Sequence, residues 1–234
     1  MKIEIWSDVM CPFCYIGKRR FEVAMAQFGN SQNIEIEWKS FLLNPELQTD
    51  PSKNIHQFLS EHKGISIEEA RSMNDQVAHM AANAGLTFDF DKAIPANSFN
   101  AHRFLHYTKI YGKQNEAEEA MFKAYFTEGK NIDDANTLTE IAVTLGLDTE
   151  ELAKDMSSDA FFQDVVMDVQ EAHEIGVRGV PFFVFNRKYA VSGAQEVDVF
   201  AQTLEKSFEE WQATAKPGGL DIIEGDSCEV DGNC

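Results

Sequence analysis

Cys11-Pro12-Phe13-Cys14 stands at a change of period. Before it, residues 2–7 alternate apolar and polar side chains, which is the two-residue period of a half-buried strand. After it, Phe13, Gly17, Phe21, Ala24 and Phe28 recur at steps of three and four, a helical face that closes at Gly29. Residues 34–42 then alternate again. The chain therefore opens strand, helix, strand, with a dithiol at the first junction.

That position gives the two cysteines different chemistry. Pro12 suits the first helical residue because its missing N–H is one the helix could not use. Cys11 then falls at the N-cap, where a sulfur anion can accept backbone N–H groups and meets the positive helix end. Cys11 is the expected nucleophile, and Cys14, one turn further in and more buried, the thiol that resolves a mixed disulfide. Lys18, Arg19 and Arg20 follow within two turns as a basic cluster that either supports the thiolate or forms a solvent face. Half of a zinc site would look the same, but zinc needs two further ligands, and the other cysteines are Cys228 and Cys234 at the far end. No metal is expected.

From about Pro51 to Asp159 the period is helical almost throughout. Ser66-x-x-Glu69 reads as a capping box ahead of Ile67, Ala70, Met73, Val77, Met80 and Ala84, with a stop at Gly85. Further helices are predicted from Ser98 to Gly112 and over 114–127, 135–145 and 149–156, the last opened by Asp148-x-x-Glu151. An amphipathic helix is predicted over 158–175. The Gly179-Val180-Pro181 turn leads to strands at 182–185 and 189–191, and a last helix is predicted over 195–211. This order predicts an α/β fold in which 1–50 and 158–215 form one discontinuous domain, 51–157 a helical insertion, and 216–234 an acidic tail.

Charge and composition narrow the function. Of 234 residues, 44% are apolar, which excludes general disorder, and 20 Lys and Arg against 39 Asp and Glu give a net charge of −19, which disfavours nucleic acid as a partner. Eight acidic residues and two Lys lie in 205–234, so part of the excess belongs to the tail. No apolar run approaches the roughly 18 residues of a membrane span. The opening residues lack the pattern of a secretory signal, and the expected location is cytoplasmic. Eight Met and 18 Phe fall mostly on helix periods, as core residues do.

Three stretches carry a family resemblance: Ser7-Asp8-Val9-Met10-Cys11-Pro12-Phe13-Cys14-Tyr15-Ile16-Gly17-Lys18, then Asn97-Ser98-Phe99-Asn100-Ala101-His102-Arg103, then residues 176–185 with Ser192-Gly193-Ala194-Gln195. Over about residues 1–212 the chain resembles the thioredoxin superfamily in its DsbA-like branch with a helical insertion, and within it the cytoplasmic FrnE-like thiol–disulfide oxidoreductases. The resemblance implies a thioredoxin-like fold and a redox-active Cys11–Cys14 pair that acts on protein cysteines through a mixed disulfide at Cys11. It implies a cis bond before Pro181, with Pro181 facing the cysteines and the Val180 backbone pairing with an extended substrate. Pro12 and Phe13 would tune the potential, Phe13 standing where many relatives have Trp. No cofactor is implied beyond the dithiol. Glutathione or a thioredoxin-type protein is the candidate reductant, and the chain is expected to be a monomer or homodimer.

Other residues carry weaker readings. His102 and His106 have the four-residue spacing of some metal ligands but lack a third. Asn97 and His102 are candidates for shaping the active-site groove. Cys228 and Cys234 form either a second redox pair, as in some FrnE-like relatives, or two adventitious thiols. Two other functions compete. One is a glutathione-dependent isomerase or transferase of the same architecture, whose members typically have Ser in place of the first Cys. The other is a redox-gated holdase whose tail disulfide controls an apolar surface.

Overall fold

Only Lys2 of the first strand, β1 (Lys2–Ser7), is exposed in the computed structural model, which describes residues 1–215. The alternation had suggested a strand with one wet face, and the reason it does not have one is β1's central place. The sheet order is β2-β1-β3-β4, with β2 at Glu35–Ser40, β3 at Phe182–Phe185 and β4 at Tyr189–Ser192. Glu4 keeps a polar period in a buried strand because Arg187 pairs with its carboxylate.

β1 and β2 are parallel and need a crossover, which α1 (Pro12–Gln27) supplies. β3 runs antiparallel to β1, with Ile5 opposite Phe183, and β4 is antiparallel to β3. Asn186 and Arg187 take positive φ in the β3–β4 turn. One sheet face buries Ile3, Ile5, Phe183 and Phe185 with Phe21 of α1 and with Phe200 and Leu204 of the final helix. The other face buries Trp6, Phe41 and Val184 with Ala172 and Val177.

Between the two halves lie α2 (Ile55–Lys63), α3 (Ile67–Asn83), α4 (Phe99–Ile110), α5 (Gln114–Phe126), α6 (Ala135–Leu145) and α7 (Thr149–Met156). The Ser66–Glu69 capping box forms as predicted, and Asp148 accepts the N–H groups of Glu150 and Glu151. A second capping box, Asn54 with Gln57, opens α2. The helical period is broken over 84–98, where Leu86, Phe90, Ala93 and Ala96 are buried without being helical. α8 begins at Phe162, not at 158, and ends at Glu174. The delay comes from Arg103, whose guanidinium takes the carbonyls of Asp155, Met156, Ser158 and Ala160 and holds those residues in turns. α9 (Val197–Ala215) runs four residues beyond the predicted end.

The inserted helices do not merely sit beside the sheet. Cys11, Cys14, Tyr15 and Ile16 share one core with Phe104, Leu105, Met121 and Phe122. Tyr15 stacks on Phe122 at 4.9 Å and on Phe88 at 5.8 Å. Among the described residues, no helix is long and apolar enough to cross a membrane.

Candidate active site

The dithiol is built by the end of β1. Cys11 N–H donates to the Asp8 carbonyl at 2.9 Å and Cys14 N–H to the Cys11 carbonyl at 3.0 Å, which winds the chain directly from strand into α1. Cys11 is the N-cap with extended backbone, and Pro12 occupies the first turn. The Cys11 side chain accepts no capping N–H from α1, unlike the sequence expectation. Its thiol turns instead to the Val180 carbonyl, 3.5 Å away.

Val180 and Pro181 are joined by a cis peptide bond, immediately before β3. The Pro181 carbonyl accepts Gly193 N–H at 2.8 Å, tying this loop to the end of β4. Gly17 makes the approach possible, because a Cβ there would lie 2.9 Å from Pro181 Cγ and 3.5 Å from Ala194 Cα. Sequence reading had given Gly17 only a place on a helix face, since a contact across the fold leaves no local signal.

The two sulfurs differ in access. Both are unbonded thiols, Cys11 at 4% exposure and Cys14 at 0%, whereas Phe13 between them is 40% exposed. Burial pushes the Cys14 thiol well above its usual range, and its hydrogen bond with Cys11 adds to this, while Asp8 N–H and the Ser7 hydroxyl pull the other way.

The basic cluster is engaged by carboxylates. Lys18 is 1% exposed, so the solvent-face alternative fails for it, and it pairs with Glu119 at 2.8 Å and Glu22 at 2.5 Å. Arg19 binds the same two carboxylates, and Tyr15 donates its hydroxyl to Glu119 at 2.6 Å. Burial works against an ionised Glu119, yet the bonds from Lys18 and Tyr15 hold it below the usual carboxylate range. Arg20 reaches the Ala194 carbonyl and Glu196. The local positive charge is thus largely matched before it reaches Cys11.

The second stretch of the resemblance divides its work. Asn97 spends its amide on the Leu47 and Pro45 carbonyls and caps Phe99 N–H at 2.8 Å, holding the 45–49 loop. His102 Nε2 lies 3.5 Å from Asp8 Oδ1. His106 Nε2 lies 3.1 Å from both Ser40 Oγ and Asp168 Oδ2, so the two histidines have different partners despite their spacing. Among the described residues, no three His, Cys, Asp or Glu side chains converge as a metal site. Cys228 and Cys234 lie outside the described residues.

Asp8 and Glu118 were not singled out from sequence. Asp8 is fully buried and accepts Leu43 N–H at 2.7 Å and Met10 N–H at 3.3 Å. Glu118 sits on the apolar stripe of α5 with Met121, Phe122 and Tyr125, a carboxylate at a core position that periodicity alone could have flagged.

Comparison with known proteins agrees with this geometry. Residues 2–205 match the family described as DSBA-like thioredoxin domain. The uncharacterized YwbO protein of Bacillus subtilis (strain 168) is 28% identical over 205 residues, 86% of this chain and 94% of that one. The crystal structure of a probable DsbA oxidoreductase from Streptomyces coelicolor superposes with a TM-score of 0.84 at 34% identity, covering 100% of this chain and 98% of that one. The cytosolic disulfide reductase DsbM of Pseudomonas aeruginosa shares the fold, with a TM-score of 0.63 at 14% identity over 90% of this chain and 100% of its own.

Proposed function

Because the chain belongs to the DSBA-like thioredoxin domain family, we propose that it is a thiol–disulfide oxidoreductase of protein cysteines that works through a mixed disulfide at Cys11. The observation that carries this reading is the 3.5 Å contact between the Cys11 thiol and the Val180 carbonyl. It puts the more accessible sulfur beside a backbone segment with which an extended client can pair. In the reducing direction Cys11 attacks a client disulfide and Cys14 then displaces the client thiolate; in the oxidising direction a client thiolate attacks Cys11 of the Cys11–Cys14 disulfide.

No cofactor beyond the protein's own thiols is needed in this reading, and glutathione or a thioredoxin-type protein restores the dithiol. A FrnE-like subtype and a cytoplasmic location follow from the resemblance, and Cys228 with Cys234 serves as a second redox pair. Cell fractionation tests the location, and the redox potential of Cys11–Cys14 against glutathione, with and without Cys228→Ser and Cys234→Ser, tests the rest.

The deciding experiment is Cys11→Ser, which is expected to abolish insulin reduction and the oxidative refolding of a reduced client. Unchanged rates in that variant would sink the mechanism. The competing isomerase or transferase reading requires glutathione turnover in a chain lacking both Cys11 and Cys14. The holdase reading requires suppression of client aggregation that changes when both tail cysteines are replaced.

A further inference from the structure

The two edges of the sheet are finished differently. Along β2, side chains of neighbouring helices take backbone groups of the strand. The Gln114 amide of α5 accepts Trp38 N–H at 3.2 Å and donates to the Trp38 carbonyl at 3.0 Å, and the Asp168 carboxylate of α8 accepts Ser40 N–H at 2.9 Å. That edge is closed to another strand. β4 forms the opposite edge, with β3 as its neighbour in the sheet.

Register fixes which groups β4 turns outward. Gly193 N–H donates to the Pro181 carbonyl at 2.8 Å, so these residues are a hydrogen-bonded pair, and Phe183 with Val191 and Phe185 with Tyr189 follow at alternate positions. Ala190 and Ser192 therefore present their N–H and C=O groups to the open side. Gln195 donates its amide to the Ser192 carbonyl at 2.9 Å. Among the described residues, nothing bonds the Ala190 N–H or carbonyl. Ala190 is exposed and shares a groove with Ile175, Phe182, Val184 and Tyr189.

A strand made from the chain directly after α9 would break a rule of hand. α1 and α9 pack on the same sheet face, and β4 runs parallel to β1. The right-handed crossover through α1 steps from β1 to β2, away from β3. The same hand through α9 steps from β4 back onto β3, and only a left-handed crossover reaches the open side.

We propose that two copies of the chain pair through β4, antiparallel about a two-fold axis at Ala190, and join their sheets edge to edge. A residue with one free N–H and one free C=O is complementary to itself, so the two Ala190 residues exchange both bonds. Antiparallel pairing also sets the basic turn end of each β4, with Arg187, Lys188 and Lys206, beside the acidic entry to the other copy's α9, with Glu196 and Asp198. Parallel pairing would set like ends together. Pro181 adjoins the end of β4 away from the turn, so the two dithiols fall at opposite ends of the shared edge. The inference does not depend on the oxidoreductase reading.

Sedimentation equilibrium of the reduced full-length chain over a dilution series is expected to show monomers in exchange with dimers. Added salt favours the dimer, because each copy carries a net charge of −19. Ala190→Lys sets like charges opposite each other at the axis and is expected to weaken the dimer about tenfold or more. Ala190→Pro removes the outward N–H, at a position where an edge strand tolerates proline, and is also expected to weaken it. A short bis-maleimide locates the contact in chains with Cys11, Cys14, Cys228 and Cys234 replaced by Ser. Ala190→Cys is expected to cross-link the two copies, because directly opposed residues hold their Cβ atoms about 5 Å apart, and Ile110→Cys, exposed at the end of α4, is expected not to. A full-length chain that is monomeric at every concentration overturns the inference and leaves the edge to a client strand or to residues 216–234. Undiminished dimer affinity in Ala190→Lys, or cross-linking of Ala190→Cys no faster than of Ile110→Cys, also overturns it. If the Lys or Pro variant does not fold, the cross-link decides.

Discussion

The Cys11 thiol donates to the Val180 carbonyl across 169 positions of sequence. This contact joins the N-terminus of α1 to the loop before β3, so the Cys11 sulfur and the Val180 backbone are placed by one another. Cys14 lies under the pair, fully buried. The proposed order of attack rests on that difference in access.

In the proposed mechanism Cys14→Ser removes the resolving thiol and leaves Cys11 able to attack. It is expected to accumulate a mixed disulfide with a client protein, seen on a non-reducing gel and released by a small dithiol, whereas Cys11→Ser accumulates none. Equal capture by the two variants would contradict the assigned order.

Gly17→Ala places a methyl group 2.9 Å from Pro181 Cγ, closer than packed carbons tolerate. The proline ring is stiff and the Ala194 backbone lies 3.5 Å from the same point, so α1 and the Pro181 loop must separate. The expected cost is about 1–3 kcal/mol of stability, with slower reduction of protein disulfides than of small aryl disulfides. Urea unfolding and the ratio of the two rates measure both effects.

Glu118 also predicts a pH dependence of stability. Burial raises this carboxyl to about 7 in the folded chain. Between the unfolded value near 4.3 and that folded value, the unfolded chain has released the proton that the folded chain still holds, so stability falls as pH rises. The penalty is complete above the folded value and is of order 3 kcal/mol. Glu118→Gln should flatten this slope. Denaturant unfolding of both chains at acidic and mildly basic pH is the measurement, and parallel curves would contradict the prediction.

Arg103→Ala leaves the carbonyls of Asp155, Met156, Ser158 and Ala160 without their shared donor. The expected loss is about 3 kcal/mol or more, and Arg103→Lys recovers little because a single ammonium cannot reproduce the planar fork. Denaturant midpoints of the two variants test this.

Much of this fold is legible because its helix ends carry local chemistry. Ser66 with Glu69, Asp148 and Pro12 each act within four residues, and the helices they announce form where the period places them. The misreadings have long-range causes. Glu4 looked like the wet side of a strand because its partner is Arg187, and α8 starts late because Arg103 commands the turn before it. The cysteine pair was readable from spacing and from the strand-to-helix junction. Its surroundings were not: Lys18 meets Glu119 over 101 positions, and Gly17 meets Pro181 only in the folded chain. Glu118 is the intermediate case, an acid on an apolar stripe that sequence displays without saying what it faces.

The core shared by α1 and the inserted helices has a consequence for damage. Thiols climb from sulfenic to sulfinic and sulfonic acids when a thiolate meets small oxidants, and the upper steps are irreversible. Phe104, Met121 and Phe122 help roof the layer in which Cys14 lies. A chain trimmed of residues 51–157 would open the Cys14 sulfur to peroxide. By burying Cys14, the inserted helices stand between its sulfur and the irreversible upper steps of that ladder.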